Sequence, residues 1–420
     1  MTADTKKPSW WPRSSFWIAR NTNPKIPESS AFVSTKVSTS VGLSQHSAGT
    51  SRALAKASRD FKAFMEESGA KITKQHQRTL DRYLTVLEKH CLHKIGDQDE
   101  PVEFEASTET WGLINLAAQH SNGVYSDTAP ATGVLINPDP VGDRKRSFIF
   151  LQELHHDQTG PLRVLVVAVR GSVTMSDWLV NGNGEGASSQ IPGLSGGDAD
   201  PRWHTGFLRV VKTMQDEVAQ AIRQQLDSCT DQPELPLDVL FTGHSAGGAI
   251  AQIFYAMCTS TQSGSSAFAK VLPRIRRVNC IVFGAPPVAT SPIISTGSKP
   301  GLFLSIINEG DPVPLLQQKY VDVLLQSFVL LPGSDEMRRL HPNGFAVPDL
   351  EFRVSGPCVV LRDDNDEDVN VTKWNAVSVR PELLERKLFA KVAAHHRAEY
   401  MERINYLVGQ YMQCGIGQSR

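Results

Sequence analysis

No stretch of this chain approaches the roughly 18 consecutive apolar residues that a membrane-crossing helix needs. Charge of one sign is missing too: 43 Lys and Arg oppose 44 Asp and Glu, for a net charge of −1. That balance offers no basic surface to a phosphate backbone, so nucleic acid is not an expected partner. The six cysteines (Cys91, Cys229, Cys258, Cys280, Cys358 and Cys414) are scattered, without metal-ligand spacing. No metal and no cofactor is therefore expected. The first 50 residues lack the apolar core of a secretory signal and are rich in Ser, Thr, Pro and Lys. They read as a disordered tail, and the thiols accordingly as reduced. Together these absences point to a cytoplasmic location. A mitochondrial presequence stays open, with Asp4 and Glu28 counting mildly against it. Trp10, Trp11, Phe16 and Trp17 cluster inside the tail. They read as a strip docked onto the body, with a membrane-surface anchor as the alternative.

What is present is ordinary for a globular protein: 40% hydrophobic and 21% charged residues. Residues 51–92 are helix-rich, with Leu54, Phe61 and Phe64, then Leu80, Tyr83, Leu84 and Leu87, at three-to-four spacing. A further helix is predicted from Trp111 to Tyr125. Strands are then predicted at Ser147–Leu151, Val164–Val169, Leu237–Thr242, Val278–Phe283 and Leu302–Ile307. A helix is predicted over Phe207–Leu226, and another after Gly247. Alternating β and α runs imply an α/β fold with a mostly parallel central sheet and helices on both faces. The unbroken apolar run Val164-Leu165-Val166-Val167-Ala168-Val169 suits a strand buried on both sides. Asp363-Asp364-Asn365-Asp366-Glu367-Asp368 separates two β-like segments and reads as a solvated hairpin turn rather than a calcium loop.

Gly243-His244-Ser245-Ala246-Gly247 fits G-x-S-x-G. The pentapeptide alone is a weak signal. Its context is stronger: a predicted strand before it and a small-residue helix after it, as a nucleophile elbow requires. Such a turn strains the serine backbone and holds the hydroxyl above the sheet, where the helix N-terminus favours negative charge. A serine nucleophile needs a base, and the base needs an acid that orients it. Asp311 follows the strand Leu302–Ile307 in a loop stiffened by Gly310 and Pro312, and Glu309 is its competitor. Beyond Asp311 the histidines are His341, His395 and His396. His341 sits in a loop before Pro342. If the adjacent pair shares a helix, the two side chains diverge by about 100°, so at most one can reach Ser245. One oxyanion donor is the N–H of Ala246. A second donor would come from the loop Arg170-Gly171-Ser172, which the residues themselves identify only as a loop after a strand.

Taken together these segments resemble the class 3 lipase family, the fungal-lipase-like branch of the α/β-hydrolases. Val169-Arg170-Gly171-Ser172 with Asp177-Trp178 is similar to the family's F-R-G-[ST] followed by D-W. His204-Thr205-Gly206-Phe207 resembles H-x-G-F. Gly243 to Gly248 resembles G-H-S-L-G-G. Phe283-Gly284-Ala285-Pro286 and Asp311-Pro312-Val313-Pro314 resemble F-G-[AS]-P and D-x-V-P. The resemblance spans roughly residues 108 to 412. It implies a triad of Ser245, Asp311 and a C-terminal histidine, with Ser172 and Ala246 as the oxyanion hole. His395 with Tyr400 matches the family's H-x-x-x-x-Y pattern, which favours His395 over His396. Ala246 stands where the family usually has leucine, and Val169 where it has an aromatic residue. The family's amphipathic lid is weakly represented in Thr174–Val180, and the apolar run Val321–Leu331 is the other candidate cover.

The organisation so read is a tail over 1–50, a helical extension over 51–107, an α/β-hydrolase domain over 108–412 and a C-terminal tail over 413–420. The resemblance implies a serine hydrolase acting on lipid carboxylic esters, in peripheral contact with a lipid surface. One alternative is a soluble carboxylesterase or phenolic-ester esterase. The other is a catalytically idle signalling or scaffold protein, which would be free to lose the complete Ser-Asp-His set that this chain keeps.

Overall fold

The computed structural model describes residues 94–126, 132–139, 144–154, 161–171, 186–188, 201–228, 237–260, 267–295, 299–329, 335, 339, 347–363 and 373–417. The aromatic cluster of the tail, the helices expected over 51–92, Ser172, the Thr174–Val180 segment, His341 and the acidic run past Asp363 lie outside those residues.

In chain order the strands are β1 (Val102–Glu103), β2 (Val134–Ile136), β3 (Ser147–Leu154), β4 (Leu162–Val169), β5 (Gly186–Ser188), β6 (Arg202–His204), β7 (Leu237–His244), β8 (Arg277–Phe283), β9 (Pro300–Asn308), β10 (Cys358–Asp363) and β11 (Trp374–Val379). The helices are α1 (Thr108–Gly123), α2 (Thr205–Asp227), α3 (Ala246–Thr259), α4 (Gln318–Val329), α5 (Pro381–Leu384) and α6 (Arg397–Gly417). The main sheet runs β1-β11-β10-β9-β8-β7-β4-β3-β2. Its centre, β4-β7-β8-β9-β10, is parallel throughout. Both flanks are antiparallel. The expected parallel sheet is thus its middle; β2-β3-β4 and β10-β11 are antiparallel because strands consecutive in the chain pair there, and β1 joins β11 from far away in the sequence. The β10–β11 ladder runs to the pair Asp363↔Trp374, so the segment read as a hairpin turn does join paired strands.

Alternation along β4 builds the layers. Val164, Val166 and Ala168 face one core with α1 and α6, including Trp111, Ile114, Ile404 and Leu407. Leu165, Val167 and Val169 face the other with α2 and α3, including Val211, Met214, Ile250 and Phe254. A strand covered on both faces needs apolar side chains at both parities, which is why this run reads as unbroken. In α2, Phe207, Leu208, Val211, Met214, Val218 and Ile222 line one buried stripe. Every residue of α3 is buried, and its small residues let it lie close against the sheet.

Residues 94–107, expected as the end of a helical extension, instead carry a 3-10 turn and the edge strand β1. Ile95 packs into the core and its N–H donates to Glu309 Oε1 at 2.7 Å. Lys387 Nζ meets Asp99 Oδ2 at 2.5 Å. Local periodicity could not reveal this strap, because its partners lie more than 200 residues away. The apolar run from Val321 falls in α4, where Val323 and Leu324 are buried in the core rather than laid over an opening. Among the described residues no helix is long and apolar enough to cross a membrane.

Candidate active site

The register of the parallel strands sets four chain ends side by side. Val169 pairs with Gly243, His244 with Phe283, and Phe283 with Ile306. Sites in parallel sheets form at such carboxyl ends.

Ser245 lies between β7 and α3 with φ +59° and ψ −132°. A non-glycine residue there is strained, at a cost of about 1–3 kcal/mol. Sterics hold it in place. A Cβ on Gly247 would collide with the carbonyl oxygen of Val169, and one on Gly243 with the backbone of Gly247. The Ser245 N–H donates to the Phe283 carbonyl at 2.9 Å. Ala246 begins the helix, so its N–H is one of the amides without an intrahelical acceptor. Next to it, the Gly171 N–H donates to the Tyr125 hydroxyl at 3.0 Å. Burial pushes that phenol up to about 12. The Arg397 guanidinium stacks on the Tyr125 ring, 4.0 Å from its centroid.

Asp311 is fully buried and fully partnered. Its Oδ1 accepts the Val313 N–H at 2.9 Å. Its Oδ2 accepts His395 Nδ1–H at 2.9 Å and the Tyr400 hydroxyl at 2.6 Å. The Tyr400 oxygen in turn accepts the Asn308 N–H at 3.0 Å, which leaves the phenolic proton for Asp311. Burial first, then the neighbouring Asp311 charge, pushes the Tyr400 phenol well above its usual range, so it stays a donor. Gly284, at φ +54°, gives the cluster room: a Cβ there would stand 2.7 Å from Asp311 Oδ2 and 3.0 Å from His395 Nδ1. Glu309, the competing carboxylate, points elsewhere, toward Ile95, and burial raises its pKa.

The two histidines part company without sharing a helix. His395 ends the 3-10 turn Val392–His395, and His396 is extended, at φ −64° and ψ 136°, just before α6. His395 is buried against Asp311, whereas His396 is exposed. Asn308 Nδ2 donates to the Ala394 carbonyl at 2.8 Å, and the Lys391 N–H to the Gly310 carbonyl at 2.8 Å, so the turn is tied to the Asp311 loop. On its other side, His244 Nε2 lies 2.8 Å from the His395 carbonyl. The turn that carries Ser245 is thus linked to the His395 backbone through His244 and to the Phe283 carbonyl through its own N–H, while Gly284 borders the His395 ring. With Nδ1 committed to Asp311, Nε2 is the ring nitrogen of His395 that this carboxylate does not engage.

The described geometry thus gathers Ser245, Ala246, Asp311 and His395 at one end of the sheet and leaves Glu309 and His396 out. Sequence reasoning noted Tyr400 only as a position in a pattern, and the contacts of His244, Asn308 and Tyr125 not at all. Their signals are single polar residues whose partners are remote in the chain. Among the described residues no three His, Cys, Asp or Glu side chains gather as a metal site.

Residues 166–320 match the family described as Lipase (class 3). A curated relative, Phospholipase A(1) DAD1, chloroplastic, of Arabidopsis thaliana, is 29% identical over 189 residues. That match covers 41% of this chain and spans only 38% of the relative's length. Among solved structures, a Rhizomucor miehei lipase propeptide complex is 19% identical, with a TM-score of 0.38, covering 69% of this chain and 80% of that one. A lipase from Rhizopus microsporus var. chinensis is 16% identical, with a TM-score of 0.40, covering 73% and 91%. The matched segment runs from within β4, through the Ser245 elbow, past Asp311 and into α4. Over residues 166–320, then, this α/β chain carries the class 3 lipase family pattern.

Proposed function

We propose that this protein is a serine hydrolase of lipid carboxylic esters, acting through Ser245, His395 and Asp311. The observation that carries the reading is the His395–Asp311 hydrogen bond of 2.9 Å, seated against the strained Ser245 turn. In this mechanism Ser245 Oγ attacks the acyl carbon while its proton passes to His395 Nε2. Asp311 holds the Nδ1–H tautomer and stabilises the imidazolium. The ester oxygen departs with that proton, leaving an acyl-serine. Water then attacks, giving its proton to His395, and the carboxylic acid leaves as Ser245 recovers the proton. The Ala246 N–H, at the head of α3, is one donor to the tetrahedral oxyanion, and Ser172 is the second by family resemblance. Removing a side-chain donor of this kind costs about 10²–10³-fold in kcat, so Ser172→Ala tests whether the hydroxyl takes part.

The substrate class follows from the family pattern and from the relative named as a phospholipase A(1). A panel of triacylglycerol, diacylglycerol, phospholipid and short soluble esters tests it, with wild-type protein and Ser245→Ala side by side. Turnover of lipid esters, lost in the variant together with fluorophosphonate labelling, supports the reading. Turnover of the soluble esters alone shifts it to a carboxylesterase, and an unlabelled wild-type protein defeats it. Contact with a lipid surface and a cytoplasmic location are separate parts of the proposal, read by vesicle co-sedimentation and by cell fractionation. Because the Arabidopsis relative is named as chloroplastic, a chloroplast fraction is the opposing result for the second.

A further inference from the structure

His244 occupies the variable position of the G-x-S-x-G turn, where the mechanism asks nothing of a side chain. It is nonetheless buried, at 6% exposure, and reaches across the site. Its Nε2 lies 2.8 Å from the carbonyl oxygen of His395. A carbonyl only accepts, so Nε2 carries the hydrogen and the tautomer is determined. The His244 ring lies along the His395 ring, with centroids 4.5 Å apart and planes 33° apart. Tyr400 stands edge-on to it at 5.6 Å and Tyr125 at 6.4 Å. Its Nδ1 is buried without a hydrogen-bond partner among the described residues.

We propose that His244 is a positioning residue for the base: its Nε2–H clamps the His395 main chain, and its ring backs the His395 imidazole. This rests on His395 being the base. Among the described residues the His395 side chain is hydrogen-bonded at one point, Nδ1 to Asp311, and a ring pinned at one nitrogen can still swing with its backbone. The His244 bond anchors that backbone from the strand that also delivers Ser245. The elbow that carries Ser245 and the turn that carries His395 are thereby tied through one residue, His244. The arrangement also keeps charge off the neighbour. Burial, then the adjacent His395, hold His244 well below the usual histidine range, with Arg397 and His396 adding repulsion against the pull of the His395 carbonyl. When His395 takes the proton of Ser245, the His244 ring beside it is neutral and adds no positive charge of its own.

The test compares His244→Asn, His244→Phe and His244→Gln with the wild type. A glutamine amide reproduces a donor near Nε2, an asparagine amide falls short of it, and phenylalanine keeps a ring without a donor. The probes are a soluble short-chain ester for kcat and KM, and fluorophosphonate labelling for Ser245 reactivity. Misplacing a base by a fraction of an ångström to an ångström costs about 10- to 100-fold. Asn and Phe are therefore expected to lose about that in kcat and in labelling rate, with KM within about twofold. Gln should recover to within about fivefold of wild type. Equal kcat in the wild type, Asn and Phe would overturn the inference. So would a Gln variant no better than Phe, since the donor would then be irrelevant. Should the Asn variant not fold, the Gln–Phe contrast decides the same point. A wild-type protein that fluorophosphonate does not label would instead bring down the serine-hydrolase reading itself.

Discussion

The turn at Ser245 and the turn at His395 lie side by side but are held in different ways. Around Ser245 the lock is steric: the backbones of Gly243, Gly247 and Val169 approach so closely that no Cβ fits between them. Around His395 the lock is polar, built from the Asn308 amide, the Lys391 N–H, the His244 imidazole and the Asp311 carboxylate. The difference sets how each can fail. A steric lock tolerates no added atom, and a polar lock tolerates no lost one. It also separates two kinds of precision. The Ser245 lock is drawn from the elbow itself and the end of β4, whereas His395 is aligned by groups drawn from three separate stretches of chain.

The sharpest break of this comparison removes the reacting atoms. Ser245→Ala should abolish turnover and covalent labelling while leaving the thermal midpoint nearly unchanged. His395→Ala should cost on the order of 10⁴-fold in kcat. Residual activity above a few per cent in the Ser245 variant would remove the serine from the mechanism.

Next comes overpacking the steric lock. Gly247→Ala adds one methyl against the Val169 carbonyl, and overpacking of this kind costs about 1–3 kcal/mol. A lowered melting temperature with slowed labelling is expected. A variant as stable and reactive as wild type would show that the elbow has slack.

Loosening the polar lock should cost the fold a similar amount and act on the rate through Asp311. Tyr400→Phe deletes one donor to Asp311 and leaves the buried Asn308 N–H unpaired, which costs about 1–3 kcal/mol. A fall of about tenfold in kcat with KM preserved is expected, since the remaining His395–Asp311 bond is weakened rather than lost. A change confined to KM would move Tyr400 out of the positioning role.

The smallest effects belong to the excluded competitors. His396→Ala should cost less than about threefold in kcat, because the side chain is exposed and touches none of the triad. Glu309→Gln should also keep its activity. The folded-state pKa of Glu309 is raised, chiefly by burial, so its contribution to stability is fully present below the unfolded value and is lost as pH rises through the folded one. Glutamine, which keeps an acceptor for the Ile95 N–H, should therefore flatten that decline in a melting series from pH 4 to 8. A large activity loss at either position would mean that the triad has been assigned to the wrong neighbour.

Much of the architecture was legible because it follows from local periodicity. Strands β4, β7, β8 and β9 and helices α1, α2 and α3 announce themselves as apolar runs or stripes, and the Ser245 elbow as a strand, a glycine-flanked serine and a small-residue helix. These features depend on residues within one element, so a linear reading reaches them. The strap over residues 94–107 and the edge strand β1 were not legible, because a two-residue strand exists only by pairing with a remote partner.

The same division runs through the site. Sequence by itself pointed to Ser245 as the candidate nucleophile, since the glycine-flanked serine between a strand and a small-residue helix is a local pattern. With the resemblance added, it narrowed the acid to Asp311 over Glu309 and the base to His395 over His396. Only the tertiary structure shows which members of the two pairs are buried against each other: Asp311 and His395 are bonded together, Glu309 turns to Ile95 and His396 is exposed. Residues two positions apart in a loop, or adjacent before a helix, have the same chemistry on paper. What separates them is which side chain the surrounding fold buries and bonds, and that depends on Asn308, Tyr400 and His244 arriving from other parts of the chain.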